Sequence, residues 1–200
     1  INEILDLSKI ESGKMTVDIQ EVRLDVLTQN LKLSFKHQAE EKDLEFNVEL
    51  DDSLPEYIYN DQQKIMQVLK NLVSNALKFT HEGAVRIRFH EPDANIKLKH
   101  SKAELNELIA VSVTDTGIGI PKEKQAEIFE AFQQVDGSTS RKYGGTGLGL
   151  SISRELAYLL EGEIHLHSKP NSGSVFTVLI HKDLNLLKNS ELKDLVATPV

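Results

Sequence analysis

Three groups of residues in this chain have types and spacings that could do chemistry. The first is Lys142-Tyr143-Gly144-Gly145-Thr146-Gly147-Leu148-Gly149-Leu150, with four glycines in six residues. A helical pattern follows at once, because Leu148, Ile152, Leu156 and Leu159 recur at helix spacing. Glycine lets backbone N–H groups approach a ligand and tolerates positive φ. A helix N-terminus adds unpaired donors and a partial positive charge, so the pair makes an anion site suited to phosphate. The same run could also be a plain hinge before a helix. It is not a P-loop, since no Gly-Lys-Ser/Thr follows, and it runs G-x-G-x-G where a dinucleotide fingerprint needs G-x-G-x-x-G.

The second group is Asn71, Asn75 and Lys78, spaced i, i+4 and i+7 on a predicted helix over 61–79. At roughly 100° per residue they fall within about 60° of one another, a single polar stripe. An asparagine oxygen suits Mg²⁺ while waters and phosphates fill the other positions, and Lys78 could neutralise a phosphate. Alone, the stripe reads more simply as a solvated face. The third group is Asp115-Thr116-Gly117-Ile118-Gly119, after the apolar run from Leu108 to Val113. A carboxylate at a strand end accepts hydrogen bonds, and an adenine amino group would suit it. A plain turn is one alternative. Another is the Asp-Thr-Gly of an aspartic protease, but that site needs two such carboxylates, so a single copy would require a symmetric dimer.

The elements that must position these groups follow from periodicity. The chain has 200 residues, 40% of them hydrophobic and 27% charged, enough for one core with appendages. A formal net charge of −8 argues against nucleic acid or an acidic membrane as the main partner. An anionic ligand must therefore be met by a local basic cluster. Cysteine is absent, which removes disulfides and thiolate metal sites and fits a reducing compartment. No apolar run approaches the roughly 18–20 residues of a membrane span, and no signal peptide is visible.

Residues 1–12 place Ile1, Ile4, Leu5 and Ile10 at helical spacing, with Gly13 as the stop. They read as the tail of a longer helix whose partner lies upstream, and the chain as a fragment of a longer protein. Met15 to Gln20 is predicted extended. A helix over 23–41 sets Leu24, Leu27, Leu31 and Phe35 on one face, and Leu44 to Leu50 alternates as a strand. Tyr57-Ile58-Tyr59 is a short second strand, and Asn60 or Asp61 caps the helix that puts Ile65, Leu69, Leu72, Ala76 and Phe79 inward. Ala84 to His90 pairs with Leu108 to Thr114. The basic stretch between them, Pro92 to Asn106, reads as a docking loop or, more simply, a solvated hairpin tip. Pro121 to Phe129 is predicted as a short helix and residues 133–147 as a mobile lid. A helix from Gly147 to Leu160 ends at Gly162. Strands Glu163 to Ser168 and Ser174 to Ile180 close the fold, and residues 182–200 read as a linker or tail.

Three motifs in fixed order resemble a known family. They are Asn71-Leu72-Val73-Ser74-Asn75-Ala76-Leu77-Lys78-Phe79; Asp115-Thr116-Gly117-Ile118-Gly119-Ile120-Pro121 with Phe129-Glu130-Ala131-Phe132 behind it; and Gly144-Gly145-Thr146-Gly147-Leu148-Gly149. Together they resemble the catalytic ATP-binding domain of sensor histidine kinases, in the superfamily with Hsp90, gyrase B and MutL. Residues 1–14 resemble the end of the dimerisation and phosphoacceptor helix, residues 15–181 the ATP-binding domain, and the lid residues Ser138 to Tyr143 those of hybrid kinases. The resemblance implies an α+β fold, a two-layer α/β sandwich whose mixed sheet carries helices on one face (the Bergerat type). It implies ATP and Mg²⁺ as cofactors. Asn75 and Asn71 would hold the metal, Lys78 would reach phosphate and Phe79 would pack on adenine. Asp115 would take the adenine amino group, with Gly117, Gly119 and Ile120 close by. Arg141 and Lys142 would reach the terminal phosphate from the lid. Gly145, Thr146, Gly147, Leu148 and Gly149 would line the phosphate pocket, and Thr177 would lie near the adenine end. The transfer itself would rest on Asn71, Lys78 and Arg141.

Two departures shape the expected activity. ATP-hydrolysing members of the superfamily carry glutamate where Asn71 stands, and asparagine cannot act as a general base. That favours phosphoryl transfer over hydrolysis. None of the seven histidines lies in a phosphoacceptor pattern. The resemblance therefore implies a cytoplasmic two-component histidine kinase domain, any membrane anchor lying outside this chain. Its partners would be its own dimerisation domain and a response-regulator receiver domain, with no nucleic acid. This chain would be monomeric and the full protein a homodimer. The competing expectation is a nucleotide-binding module that does not transfer phosphate.

Overall fold

The structure is a computed structural model that describes residues 2–132 and 147–186. Helix α1 (Asn2–Glu11) leads to β1 (Gln20–Arg23) and α2 (Leu24–Glu40). Then come β2 (Glu45–Leu50), β3 (Tyr57–Asn60), α3 (Gln62–Phe79), β4 (Ala84–His90) and β5 (Leu108–Asp115). Helix α4 (Gly149–Leu159), β6 (Glu163–Ser168) and β7 (Ser174–His181) complete the order. The main sheet runs β2-β4-β5-β7-β6, and β1 and β3 pair separately. Strands β2 and β4 are parallel and the other neighbours antiparallel, so the sheet is mixed, as expected for this α+β class.

Alternation decides the two faces of the sheet. Val85, Ile87, Phe89, Ile109, Val111, Val113, Phe176, Val178 and Ile180 turn to one side and form a single core with α2, α3 and α4. Helix α2 contributes Leu24, Leu27, Leu31, Phe35 and Ala39 to it. The apolar stripe of α3 is wider than predicted, because Val68, Val73 and Leu77 are buried beside Ile65, Leu69, Leu72 and Ala76. Each fully buried leucine or valine stabilises the fold by about 1.5–3 kcal/mol. Asp61 starts α3, accepting from the Lys64 amide at 3.0 Å and also from the Asp18 amide.

Several boundaries differ from the sequence reading. Strand β1 begins at Gln20, where Met15 to Gln20 was expected to be extended. The short helix predicted over 121–129 is two 3-10 turns, Lys122–Lys124 and Glu127–Phe129. A segment this short cannot repay helix nucleation by itself. The fold also continues past 181: Leu184 is buried, and Tyr59 donates to the Lys182 carbonyl at 2.8 Å. Residues 182–184 of the tail expected over 182–200 therefore pack with the fold, and residues 187–200 lie outside the described set. Leu7 and Ile10 of α1 pack on the core of this same chain, while Ile4 and Leu5 stay exposed. Among the described residues no helix is long and apolar enough to cross a membrane.

Residues 91–107 form a strap across the second face of the sheet, not a solvated tip. Ile96, Leu98 and Ala103 cover Leu108, Ala110 and Leu179. The strap is pinned by Glu163, which is 2% exposed and accepts from the amides of Lys99, His100 and Ser101 at 2.8–3.2 Å. His165 Nε2 lies 2.6 Å from its Oε1. Burial alone would raise the Glu163 carboxyl, but the amides and His165 outweigh it and hold it below its ordinary value. The strap's edge meets β7 at His181, whose Nδ1 accepts from the Asp183 amide at 3.0 Å. That bond assigns the proton to Nε2, which is buried and has no partner among the described residues. Burial pushes this imidazole below its ordinary value, against the pull of Glu107, Asp183 and Glu161.

Two outcomes follow. Glu163→Ala strands three amides and His165, and should cost about 2–4 kcal/mol in chemical denaturation; an unchanged midpoint would mean the strap is held elsewhere. For His181 the folded value lies below the unfolded one, near 6.5, so the unfolded chain binds the proton first as pH falls. Its contribution to stability is complete above that value and is lost as pH drops toward the folded one. His181→Gln should flatten the thermal midpoint over that window relative to the parent chain.

Candidate functional site

The site is built where β5, the end of α3, the start of α4 and the β6–β7 turn converge. Asp115 closes β5 and is 7% exposed. Its Oδ1 accepts from the Gly117 amide at 2.8 Å. Burial raises its carboxyl above the ordinary value, and hydrogen bonds from Gly117 and Ser174 pull the other way. The backbone after it threads a narrow path. A Cβ on Gly117 would lie 2.4 Å from the Phe79 carbonyl oxygen, and one on Gly119, at φ +65°, would lie 2.0 Å from that of Lys169. A Cβ on Gly173, at φ +82°, would lie 1.9 Å from the Asp115 carbonyl oxygen. Ile120 donates its amide to Ser168 Oγ at 2.8 Å, and the Gln125 side chain donates to the carbonyls of Ile120 and Ser168. The Asn171 amide donates to Ile118.

The polar stripe of α3 borders this loop. Asn71 and Asn75 are half-buried, as are Lys78 and Phe79. Asn71 Nδ2 donates to Ser153 Oγ of α4 at 2.8 Å, which ties the two helices together. Its Oδ1 lies where a side chain on Gly149 would begin, 2.3 Å from the ideal Cβ position. No hydrogen bond to the Asn75 side chain is found among the described residues. Lys78 Nζ stands 5.0 Å from the Phe79 ring centroid, and burial lowers its ammonium below the ordinary value. Among the described residues no three acidic or histidine side chains gather as a metal site. A hard cation here would draw on asparagine oxygens and on the ligand's own phosphates, which is the chemistry this donor set fits.

The structure thus brings together Asn71, Asn75, Lys78, Phe79, Asp115, Gly117, Gly119, Ile120, Gly147 and Gly149. Two expectations need correction. Leu148 has no exposed surface and its side chain packs in the core, so it does not line an open pocket. Thr177 is on the wrong face of β7. Asp115 pairs with Ser174, and Thr177 pairs with Ser112 three residues away, so the pleat turns it from the site. Its Oγ1 lies 3.0 Å from Ser112 Oγ, which lies 2.8 Å from His90 Nε2. Ser174 occupies the place expected of Thr177. The signal was available, since Ser174 shares the alternation of Phe176, Val178 and Ile180. Arg141, Lys142, Gly145 and Thr146, with most of the expected lid, lie outside the described residues.

A family model described as histidine kinase-, DNA gyrase B-, and HSP90-like ATPase matches residues 60–184. The chain belongs to this family. It is 42% identical over 184 residues to hybrid signal transduction histidine kinase K of Dictyostelium discoideum, covering 90% of this chain and 15% of that protein. It is 37% identical over 185 residues to the signal transduction histidine-protein kinase BarA of Escherichia coli, covering 92% of this chain and 19% of that protein. The chain therefore spans less than a fifth of these relatives. Among solved structures, the catalytic domain of histidine kinase ThkA in a nucleotide-free form matches with a TM-score of 0.65 at 28% identity, covering 83% of this chain and 97% of that one. Full-length ShkA in complex with AMPPNP matches at 0.74 and 26% identity, covering 90% and 34%. The fold is that of histidine kinase catalytic ATPase domains, and the mixed sheet with its helical layer is the one the motifs implied.

In this ATPase domain the buried Asp115 should be separable from the stability of the fold. A carboxyl raised by burial favours its neutral form, so its ionisation weakens the native state as pH rises through the folded value. Asp115→Asn removes that penalty and keeps an acceptor for the Gly117 amide. Its thermal midpoint at pH 7 should equal or exceed the parent's; a clear drop would show that the carboxylate charge holds the loop together.

Proposed function

We propose that this domain binds Mg-ATP and passes the γ-phosphoryl group to a histidine on a dimerisation domain outside this chain, as the catalytic part of a two-component sensor histidine kinase. The observation that carries the reading is the buried Asp115 carboxyl at a glycine-threaded strand end, one loop away from the Asn71, Asn75 and Lys78 stripe. Asp115 accepts from the adenine amino group, a charge-assisted bond that contributes about 1.5–3 kcal/mol. Gly117 and Gly119 let the base approach the backbone, and Phe79 offers it a flat apolar face. Lys78 reaches phosphate, where a neighbouring anion restores the charged form that burial disfavours.

Asn75 and Asn71 supply side-chain oxygens to Mg²⁺, which when bound neutralises phosphate charge. Asn71 is no base, and none is needed from this domain. A neutral imidazole nitrogen carries its own lone pair, forms the new P–N bond and releases ADP as the bond from the γ-phosphorus to the bridging oxygen breaks. What the domain contributes is placement and charge neutralisation. Arg141 and Lys142 are proposed to add cationic charge from the lid, and Gly145, Thr146 and Gly147 to line it. The downstream partner is a receiver domain, in keeping with relatives named as hybrid kinases. We assign the domain to the cytoplasm and the full protein to a homodimer.

Calorimetric titration of this chain with AMPPNP, with and without Mg²⁺, tests the reading. Binding in the micromolar range should be strengthened by the metal, weakened at least tenfold by Asp115→Asn, and stripped of its metal dependence by Asn75→Ala. Affinity indifferent to all three changes would remove the nucleotide from this site. Phosphotransfer to an added dimerisation domain should then follow binding; binding without transfer would leave a nucleotide-sensing module.

A further inference from the structure

Ser153 belongs to none of the three motifs, yet it is the residue that holds Asn71. It lies on α4 one turn beyond Gly149, is 2% exposed, and accepts from Asn71 Nδ2 at 2.8 Å. A carboxamide presents two ends that differ only in oxygen and nitrogen, so its orientation is set by what faces each end. The amino end of Asn71 faces Ser153. The oxygen end lies over the Cα of Gly149, the first residue of α4, in space that any side chain there would fill. The start of a helix carries unpaired N–H groups and a partial positive charge, which favours the oxygen at that end and the amino group one turn deeper. Gly149 therefore admits the carboxamide, the start of α4 sets its sense, and Ser153 anchors its amino end.

We propose that Ser153 is a positioning residue for the nucleotide–metal site, holding the Asn71 oxygen at the head of α4. The proposal rests on the reading above that Asn71 serves the metal. Partners that orient a metal-binding side chain typically matter by 10–100-fold in metal affinity. A hydroxyl that merely filled core space would affect stability without affecting the response to Mg²⁺.

The test is a double-mutant cycle on this chain with Ser153→Ala, Asn71→Ala and the double variant. AMPPNP affinity is measured with and without Mg²⁺, and the thermal midpoint is recorded for each. Ser153→Ala should reduce the Mg²⁺-dependent gain in affinity about tenfold, leave metal-free affinity as it was, and have no further effect once Asn71 is alanine. If Asn71→Ala loses the gain while Ser153→Ala keeps it, positioning by Ser153 is refuted and the metal reading of Asn71 stands. An equal loss from Ser153→Ala in both backgrounds also refutes it, because the effect then bypasses Asn71. If Asn71→Ala keeps the gain, the metal reading of Asn71 fails and the proposal with it.

Discussion

The fold's main constraint is a carboxyl group kept out of water beside crowded backbone. Asp115 must be reached by donors or ionisation would be too costly, and the donors that reach it come from backbone that must pass very close. Three glycines make that passage. Gly117 runs against the end of α3, Gly119 against Lys169 and Gly173 against Asp115 itself. Gly117 joins α3 to the strand end, and Gly119 and Gly173 join the β6–β7 turn to it from its two sides, so the end of β5 is held between two other elements. Ser168 and Gln125 then fasten the Ile120 backbone to the β6–β7 turn. A methyl group at any of the three glycines would push apart two chain segments, not merely fill a gap.

Helix α3 faces this knot with its two requirements in conflict. Its buried side packs on the sheet, and its opposite side cannot be freely solvated because α4 crosses it. Two asparagines are poor helix formers, and tertiary contacts must offset the cost. Asn71 shows how. Its carboxamide spans the gap to α4 and is half-buried in the helix contact, so the polar group that weakens α3 alone joins α3 to α4 in the fold. The same arrangement sets the start of α4, where the glycine-rich run ends.

The second face of the sheet is treated unevenly. Its β5–β7–β6 end is apolar (Leu108, Ala110, Leu179) and needs a cover, which the strap supplies. Elsewhere on that face Arg86 and Arg88 of β4, Ser112 and Thr114 of β5 and Thr177 of β7 are polar or charged, and no second helical layer is required. A strap has few apolar residues to offer, and so it is anchored by a buried charge. Three successive amides on one carboxylate fix its backbone more firmly than three small apolar contacts could. Charge within residues 91–107 misleads a reader of sequence for this reason. Lys97, Lys99 and Lys102 face outward, while the residues that matter for packing alternate with them.

Strand alternation was the most legible feature, because one face of each strand is apolar and a shift by one residue would bury charge. The motif residues were legible too, since glycine and asparagine at those spacings are costly unless something requires them. What failed did so where two physical readings share one pattern. Gly162 ends α4 as predicted, but Glu161 takes the left-handed turn at φ 55°, and Gly162 is glycine because a Cβ would lie 1.9 Å from the Leu179 carbonyl oxygen. Thr177 and Ser174 are both small and polar near the end of one strand, and only register tells them apart. Once Asp115 is paired with Ser174, Thr177 must join Ser112 and His90 on the other face. Polarity on a strand therefore says that a hydrogen bond is being made, and parity says on which side. Ser153 lay beyond both signals, because a serine inside an apolar helix pattern announces no partner until the facing helix is in place.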